Sequence, residues 1–286
     1  MQGHLYKIVT TAVIGVAIFF GCSNSHENDQ TLKDYNLEDP EKFFMPESLF
    51  EISGITFYKG NPDTVYAIQD EEGKLFRLPW GVKKQFHAKF WKKGDYEDVA
   101  IVHDKVIVLK SNGTLYSFPF YESVYEEVDS TQEWKKVLPK GEYESMFANE
   151  ETDSLYVLCK NCPQDDSKKS ITGYIFQPSD STAVFRTFQI NVKEIKALTG
   201  KVERGFRPSG LAQNPKTKDW YIISAVNKLL VIADQNWKVQ QALTLSGNMF
   251  TQPEGIAFDN AGNLYISNEG DDFAEGNILK FKKMSK

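Results

Sequence analysis

Ser53, Glu97, Glu144, Ser209 and Glu254 each stand just ahead of a short apolar run, at intervals of 44, 47, 65 and 45 residues. Two positions before them come Glu51, Asp95, Glu142, Arg207 and Gln252. If the repeats are arranged about one axis, these side chains converge, and carboxylates that converge repel unless a cation, an arginine or water separates them. Glu51, Glu97, Glu144, Arg207 and Glu254 are therefore the candidate ligand-binding set, at the mouth of a central channel. A second oxygen-rich group follows later in the first and last repeats: Gln69, Asp70, Glu71 and Glu72, and Asn268, Glu269, Asp271 and Asp272. A hard cation such as Ca2+ takes about six to eight oxygen ligands, which makes Glu254, Asn268 and Glu269 the candidate metal set. The same carboxylates could instead cap backbone amides where repeats join, with Arg207 as counter-charge, and the residues alone leave both readings open.

Signals for catalysis are sparse. The chain has no Gly-x-Ser-x-Gly elbow, His-Glu-x-x-His, P-loop or dinucleotide fingerprint. Its four histidines are His4, His26, His87 and His103, the last two expected on an outer strand and beside a hairpin turn. Glycoside hydrolysis by a carboxylate pair among Glu97, Glu144 and Glu254 needs a separation that spacing in sequence does not fix. No catalytic residue is assigned.

A period near 45 residues approximates one four-stranded blade of a β-propeller, a unit that cannot bury its own faces. Within each repeat, strand patterns follow one another across turns such as Ser111-Asn112-Gly113 and Asp259-Asn260-Ala261-Gly262. The 65-residue interval could hide a sixth blade. Its strand patterns number four, however, ending with Ala183–Phe188, and Val192–Leu198 carries helical spacing closed by Thr199-Gly200. The expected fold is all-β, a five-bladed propeller with six blades as the alternative. Outer strands are expected over Gln85–Phe90 in the first blade and Glu133–Leu138 in the second. The last repeat holds only three strands, so Asp34–Leu37 is expected to supply the fourth and close the ring.

With 286 residues and 41% hydrophobic content, the chain can bury one large β domain. A net charge of −6 argues against a nucleic-acid partner, which needs a basic patch. Ahead of the domain, Lys7 precedes an apolar run of 13 residues, Ile8 to Phe20, which ends in Gly21-Cys22. That pattern predicts a bacterial lipoprotein signal over residues 1–22, with lipid carried on Cys22. The run is short for a membrane-spanning helix. Residues 23–31 read as a flexible tether and 32–286 as the propeller domain. Cys159 and Cys162 remain; two cysteines cannot complete a zinc site, and in an oxidising envelope compartment they predict a local disulfide.

The ordered set of motifs resembles the SdiA-regulated family, bacterial envelope propellers related to NHL-type repeats. The stretches that carry the likeness are Glu51-Ile52-Ser53-Gly54-Ile55, Tyr96-Glu97-Asp98-Val99-Ala100 and Arg207-Pro208-Ser209-Gly210-Leu211-Ala212. A fourth runs from Gln252-Pro253-Glu254-Gly255-Ile256-Ala257-Phe258 through Asn263–Glu269 to Gly270. The resemblance implies the propeller and an envelope location and supplies no reaction. Calcium-dependent lactonase propellers, which share the Pro-Glu-Gly-Ile-Ala segment, hold a channel metal with a glutamate and asparagines. Glu254 fits the glutamate, and the middle blades offer no matching asparagines.

The expected protein is thus a lipid-anchored envelope lipoprotein, facing the periplasm or the cell surface, with membrane contact through its lipid. Its propeller is read as a non-enzymatic module for a small ligand or protein, with Ca2+ as the candidate ion. The alternative is a metal-dependent, lactonase- or esterase-like hydrolase using the channel carboxylates. A scaffold for envelope proteins is a third reading.

Overall fold

The structure, a computed structural model, describes residues 32–80, 85–178, 185–200, 202, 204–272 and 274–284. The signal and tether expected over residues 1–31 lie outside the described residues, as do Ala183 and Val184.

Five four-stranded antiparallel sheets make a five-bladed propeller, which removes the six-bladed alternative. β1 (Glu41–Phe44) comes first in the chain and belongs to the last blade. Blade 1 holds β2 (Ile52–Phe57), β3 (Thr64–Gln69), β4 (Lys74–Pro79) and β5 (Phe86–Lys89). Blade 2 holds β6 (Tyr96–Val102), β7 (Lys105–Lys110), β8 (Leu115–Pro119) and β9 (Gln132–Trp134). Blade 3 holds β10 (Glu142–Asn149), β11 (Ser154–Asn161), β12 (Ser170–Phe176) and β13 (Arg186–Asn191), and is followed by α1 (Val192–Thr199). Blade 4 holds β14 (Gly210–Gln213), β15 (Trp220–Ser224), β16 (Leu229–Ala233) and β17 (Val239–Thr244). Blade 5 joins β18 (Pro253–Phe258), β19 (Leu264–Asn268) and β20 (Asn277–Phe281) to β1.

Burial follows distance from the axis. β16, Leu-Leu-Val-Ile-Ala, is buried at every residue because neighbouring blades cover both its faces. Outer strands expose alternate positions, as in β13, where only Phe188 and Ile190 are buried. The apolar core consequently lies between blades rather than inside any one of them. Turns carry the expected chemistry, with Gly113 and Gly262 at φ 80° and 89°. Asn191 caps α1 by accepting from the Lys193 amide, Gly200 ends it at φ 81°, and Glu194 accepts from the Val239 amide at 3.0 Å, which ties the helix to blade 4.

The ring closes through the N-terminal part of the domain, but not through Asp34–Leu37. The donor is β1, paired with β20 from Glu41–Lys280 to Phe44–Asn277. As an outer strand, with three of its four residues exposed, it has no alternating apolar signature. Asp34–Leu37 has that signature for a different reason. Tyr35 is buried as a plug between blades 4 and 5, packed against Tyr221 and Phe258, with its hydroxyl donating to the Gly262 carbonyl at 2.6 Å. The outer strand of blade 2 is also shorter than expected, because Val137 and Leu138 leave the sheet to join the core. In blade 3 the last strand begins at Arg186 and runs on to Asn191, later than the Ala183–Phe188 expected.

Candidate functional site: the two ends of the channel

The inner strands β2, β6, β10, β14 and β18 pack in ring order about the axis. The residues that open the repeats are set there by a shared irregularity. Glu97 is the extra residue between the pairs Tyr96–Lys110 and Asp98–Leu109. Glu144 holds the same position between Tyr143–Cys159 and Ser145–Leu158, and Glu254 between Pro253–Asn268 and Gly255–Ser267. In β2 the bulge falls at Ser53-Gly54. A β-bulge leaves one residue out of the ladder and re-aims its side chain. Repeated in four blades, it sets three glutamates apart from the pairing that holds their neighbours.

Directly past each bulge the ring is tight. A Cβ on Gly54 would lie 2.4 Å from Asp98 Oδ1, and one on Gly255 2.5 Å from the Ser53 carbonyl oxygen. Hydrogen bonds seal this level from blade to blade. Ser267 Oγ donates to the Ser53 carbonyl and Ser209 Oγ to the Pro253 carbonyl, both at 2.7 Å. Asp98, buried, accepts from the Met146 amide of blade 3 at 2.7 Å and from the Val99 amide at 2.8 Å. Burial pushes its carboxyl well above the ordinary range, against the pull of those two amides. Asp98, Ser209 and Ser267 therefore knit the waist of the channel rather than face a ligand.

On one side of the waist lie the carboxylates. Burial, reinforced by Asp95, raises Glu97 to about 9 against the pull of Lys160. Burial and then Glu269 push Glu254 up to about 8, with Lys160, Gln252 and Lys228 opposing. Glu269 rises to about 7 through burial, Asp70 and Glu51, and Asp70 to about 6 through burial, Glu51 and Glu71. The acidic loops of blades 1 and 5 thus do face each other. Glu144 is paired with Lys160, which also lies 3.7 Å from Glu142. Gln252 donates to Glu269, and Asn161 to Glu142 at 3.2 Å.

Lys160 is the residue of this mouth that the sequence did not reveal. It too is a bulge residue, left over between Glu142–Asn161 and Tyr143–Cys159. It sits inside the loop closed by the disulfide between Cys159 and Cys162, whose Cα atoms are 6.0 Å apart. Read along the chain, it was only the residue between two cysteines. Lys228 is the other cation of the mouth; burial lowers its pKa, against the influence of Glu254. Arg207, expected as the counter-charge, is held by its backbone, its amide donating to Asn227 Oδ1 at 3.0 Å and its carbonyl accepting from Ser224 Oγ at 2.6 Å. Its guanidinium makes no ion pair among the described residues. Lysines from blades 3 and 4 take that role instead.

Glu254 and Glu269, two of the expected calcium set, lie at this mouth, and Asn268 Oδ1 is buried with no hydrogen-bond partner among the described residues. Among the described residues, the one group of three His, Cys, Asp or Glu ligand atoms within 4.8 Å of one another is Cys159, Cys162 and Asp165, and both of those cysteines are in the disulfide. Asn268 is buried with its amide donating to Asn277 Oδ1 at 3.0 Å and to the Met249 carbonyl at 3.3 Å. Of the other acidic-loop residues, Glu72 pairs with Lys74 at 2.7 Å and Glu71 lies 3.9 Å from Lys93. His87 is on β5 and His103 in the β6–β7 turn, away from the carboxylates as expected.

On the other side of the waist the channel widens into a cavity of about 420 Å3 where the inner strands end. All five contribute, through residues such as Ile55, Ile101, Phe147, Leu211 and Phe258. Their apolar character reads from sequence simply as core.

No curated protein matches the chain. Among solved structures, a luciferin-regenerating enzyme is similar at 10% identity, with 85% of this chain and 95% of that one covered and a TM-score of 0.54. A streptogramin B lyase is similar at 10% identity, with 88% and 98% covered and a TM-score of 0.48. Likeness at such identity concerns the fold alone. The family that the chain matches is the SdiA-regulated family, over residues 180–275, a span that takes in blade 4, Arg207, the Glu254 bulge and the acidic loop after β19.

Proposed function

We propose that this protein is an envelope lipoprotein, anchored through Cys22, whose propeller is a non-enzymatic binding module for a cationic ligand at the carboxylate mouth. The observation that carries this reading is the imbalance of charge there. Glu51, Asp70, Asp95, Glu97, Glu142, Glu144, Glu254 and Glu269 come together from the strands and loops of four blades, and Lys160 and Lys228 are the cations that oppose them. Carboxyls forced to keep their protons by burial and by each other are poised to release them to solvent when a positive charge binds beside them. The oxygens are spread over several blades rather than gathered within one ion's coordination sphere. That spacing suits an organic cation with several amino groups better than a single Ca2+.

Calorimetric titration with spermidine, in two buffers of different ionisation enthalpy, tests the site. Binding should be accompanied by proton release, seen as a buffer-dependent heat, and Ca2+ should bind more weakly. No heat and no shift in thermal unfolding with either cation would remove the reading. The anchor is tested separately: Cys22→Ser should abolish incorporation of labelled fatty acid and free the protein from the membrane fraction.

A further inference from the structure

We infer that the cavity at the far end of the channel is a second binding site, for a neutral and largely apolar small molecule. It is separate from the mouth. Phe258 lies four residues along β18 from Glu254, about 13 Å of extended chain, with the sealed waist between them.

Three observations define the ligand's chemistry. The volume, about 420 Å3, falls among cavities that enclose small organic ligands. Half-buried apolar side chains face it from separate blades, Ile101, Phe147 and Phe258 among them. The charges at its rim are already engaged: Lys59 with Asp104 at 3.1 Å, Lys218 with Glu151 at 3.2 Å, and Glu150 with the His103 amide at 3.1 Å. A charged ligand would enter an apolar space with no free counter-charge, which is costly, so the site selects against it. Polar side chains also line the space, Thr56, Asn149, Gln213 and Asn260 among them. The Asn149 and Gln213 side chains meet at 3.5 Å, the outer limit of a hydrogen bond, and a ligand hydroxyl or carbonyl could bridge them.

The wall is also preformed. Phe147 packs edge-on against Trp220 at 5.4 Å, Trp220 stacks on Trp237 at 4.2 Å, and Trp237 on Phe188 at 3.6 Å. That aromatic stack holds Phe147 in place and puts a natural fluorophore beside the site.

The test uses the neutral dye N-phenyl-1-naphthylamine and its anionic relative 1-anilinonaphthalene-8-sulfonate. The neutral dye should bind saturably at one site, with enhanced emission and quenching of tryptophan fluorescence. The anionic dye should bind at least about tenfold more weakly. Ala148→Trp and Gln213→Phe narrow the cavity from blades 3 and 4, and each should weaken the neutral dye about tenfold or more. Cooperative thermal unfolding establishes which variant is folded, and either one alone suffices. Absence of saturable binding, equal affinity for the two dyes, or a folded variant that binds like the parent overturns the inference. These readouts do not involve the carboxylate mouth, so they stand apart from the spermidine titration.

Discussion

Replacing Glu254 with glutamine should make the protein more stable, by an amount that grows with pH. In the fold this carboxyl is pushed from 4.5 up to about 8, chiefly by burial and by Glu269. The unfolded chain releases the proton near 4.5 while the folded one keeps it, so the folded form is progressively disfavoured as pH rises through that interval. The loss is about 1.4 kcal/mol per pH unit for one such group. Glutamine keeps the shape and the carbonyl acceptor but cannot ionise. Glu254→Gln should therefore be ahead of the parent by only about 1 kcal/mol at pH 5. At pH 7 the variant should be ahead by about 3 kcal/mol, and the gain should level off above about pH 8, where the folded carboxyl also ionises. Glu97 and Glu269 are present in both proteins, but each interacts with position 254, so the difference also includes any change in their own titration. Urea denaturation followed by tryptophan fluorescence at unit steps from pH 5 to pH 9 measures it. A difference that is flat with pH, or that favours the parent as pH rises, would refute the reasoning and show that the mouth is solvated enough for its carboxyls to titrate normally.

Other expectations follow from the same contacts. Lys160→Met removes the partner of Glu144, whose side chain is only 10% exposed, and should cost about 3 kcal/mol at pH 7; less than about 0.5 kcal/mol would mean the pair is solvent-screened. Tyr35→Phe deletes a hydroxyl that donates to the Gly262 carbonyl at 2.6 Å and accepts from Asn214 at 3.1 Å, so chemical denaturation should register a loss of about 1–2 kcal/mol. Gly54→Ala puts a methyl group 2.4 Å from Asp98 Oδ1 and 2.6 Å from the Asp98 Cα, and should lower the unfolding temperature by more than Gly247→Ala, where nothing lies within 4 Å. Thiol titration of the denatured, unreduced domain lacking residues 1–31 should find no free cysteine, and one reactive thiol or more would contradict the Cys159–Cys162 bond.

Much of the architecture was legible because a blade repeats. The column Ser53, Glu97, Glu144, Ser209, Glu254 marks the inner strands correctly, and the small residues that follow it, Gly54, Gly210 and Gly255, now have a reason in the close approach of neighbouring strands. The bulges were not legible. Alternation along Tyr96-Glu97-Asp98-Val99 looks the same whether or not one residue drops out of the ladder, and only pairing with β7 reveals which one does. Lys160 escaped notice for a related reason: its position depends on a bulge and a disulfide together. Arg207 was the natural counter-charge within the repeat pattern, yet charge balance is a matter of three-dimensional proximity, which lysines from β11 and the β15–β16 turn satisfy. The closing strand was misread because an outer edge needs little apolar content, whereas a buried plug such as Tyr35 imitates a strand.

That plug also fixes a direction. Tyr35 is fastened to the turn after β18 and to Asn214 just past β14, both at the cavity end of the channel. Leu32, the first described residue, is buried in the same core cluster as Tyr35. Were Cys22 to hold fatty acid, the nine residues 23–31 would join that lipid to the domain at the end that carries the apolar chamber.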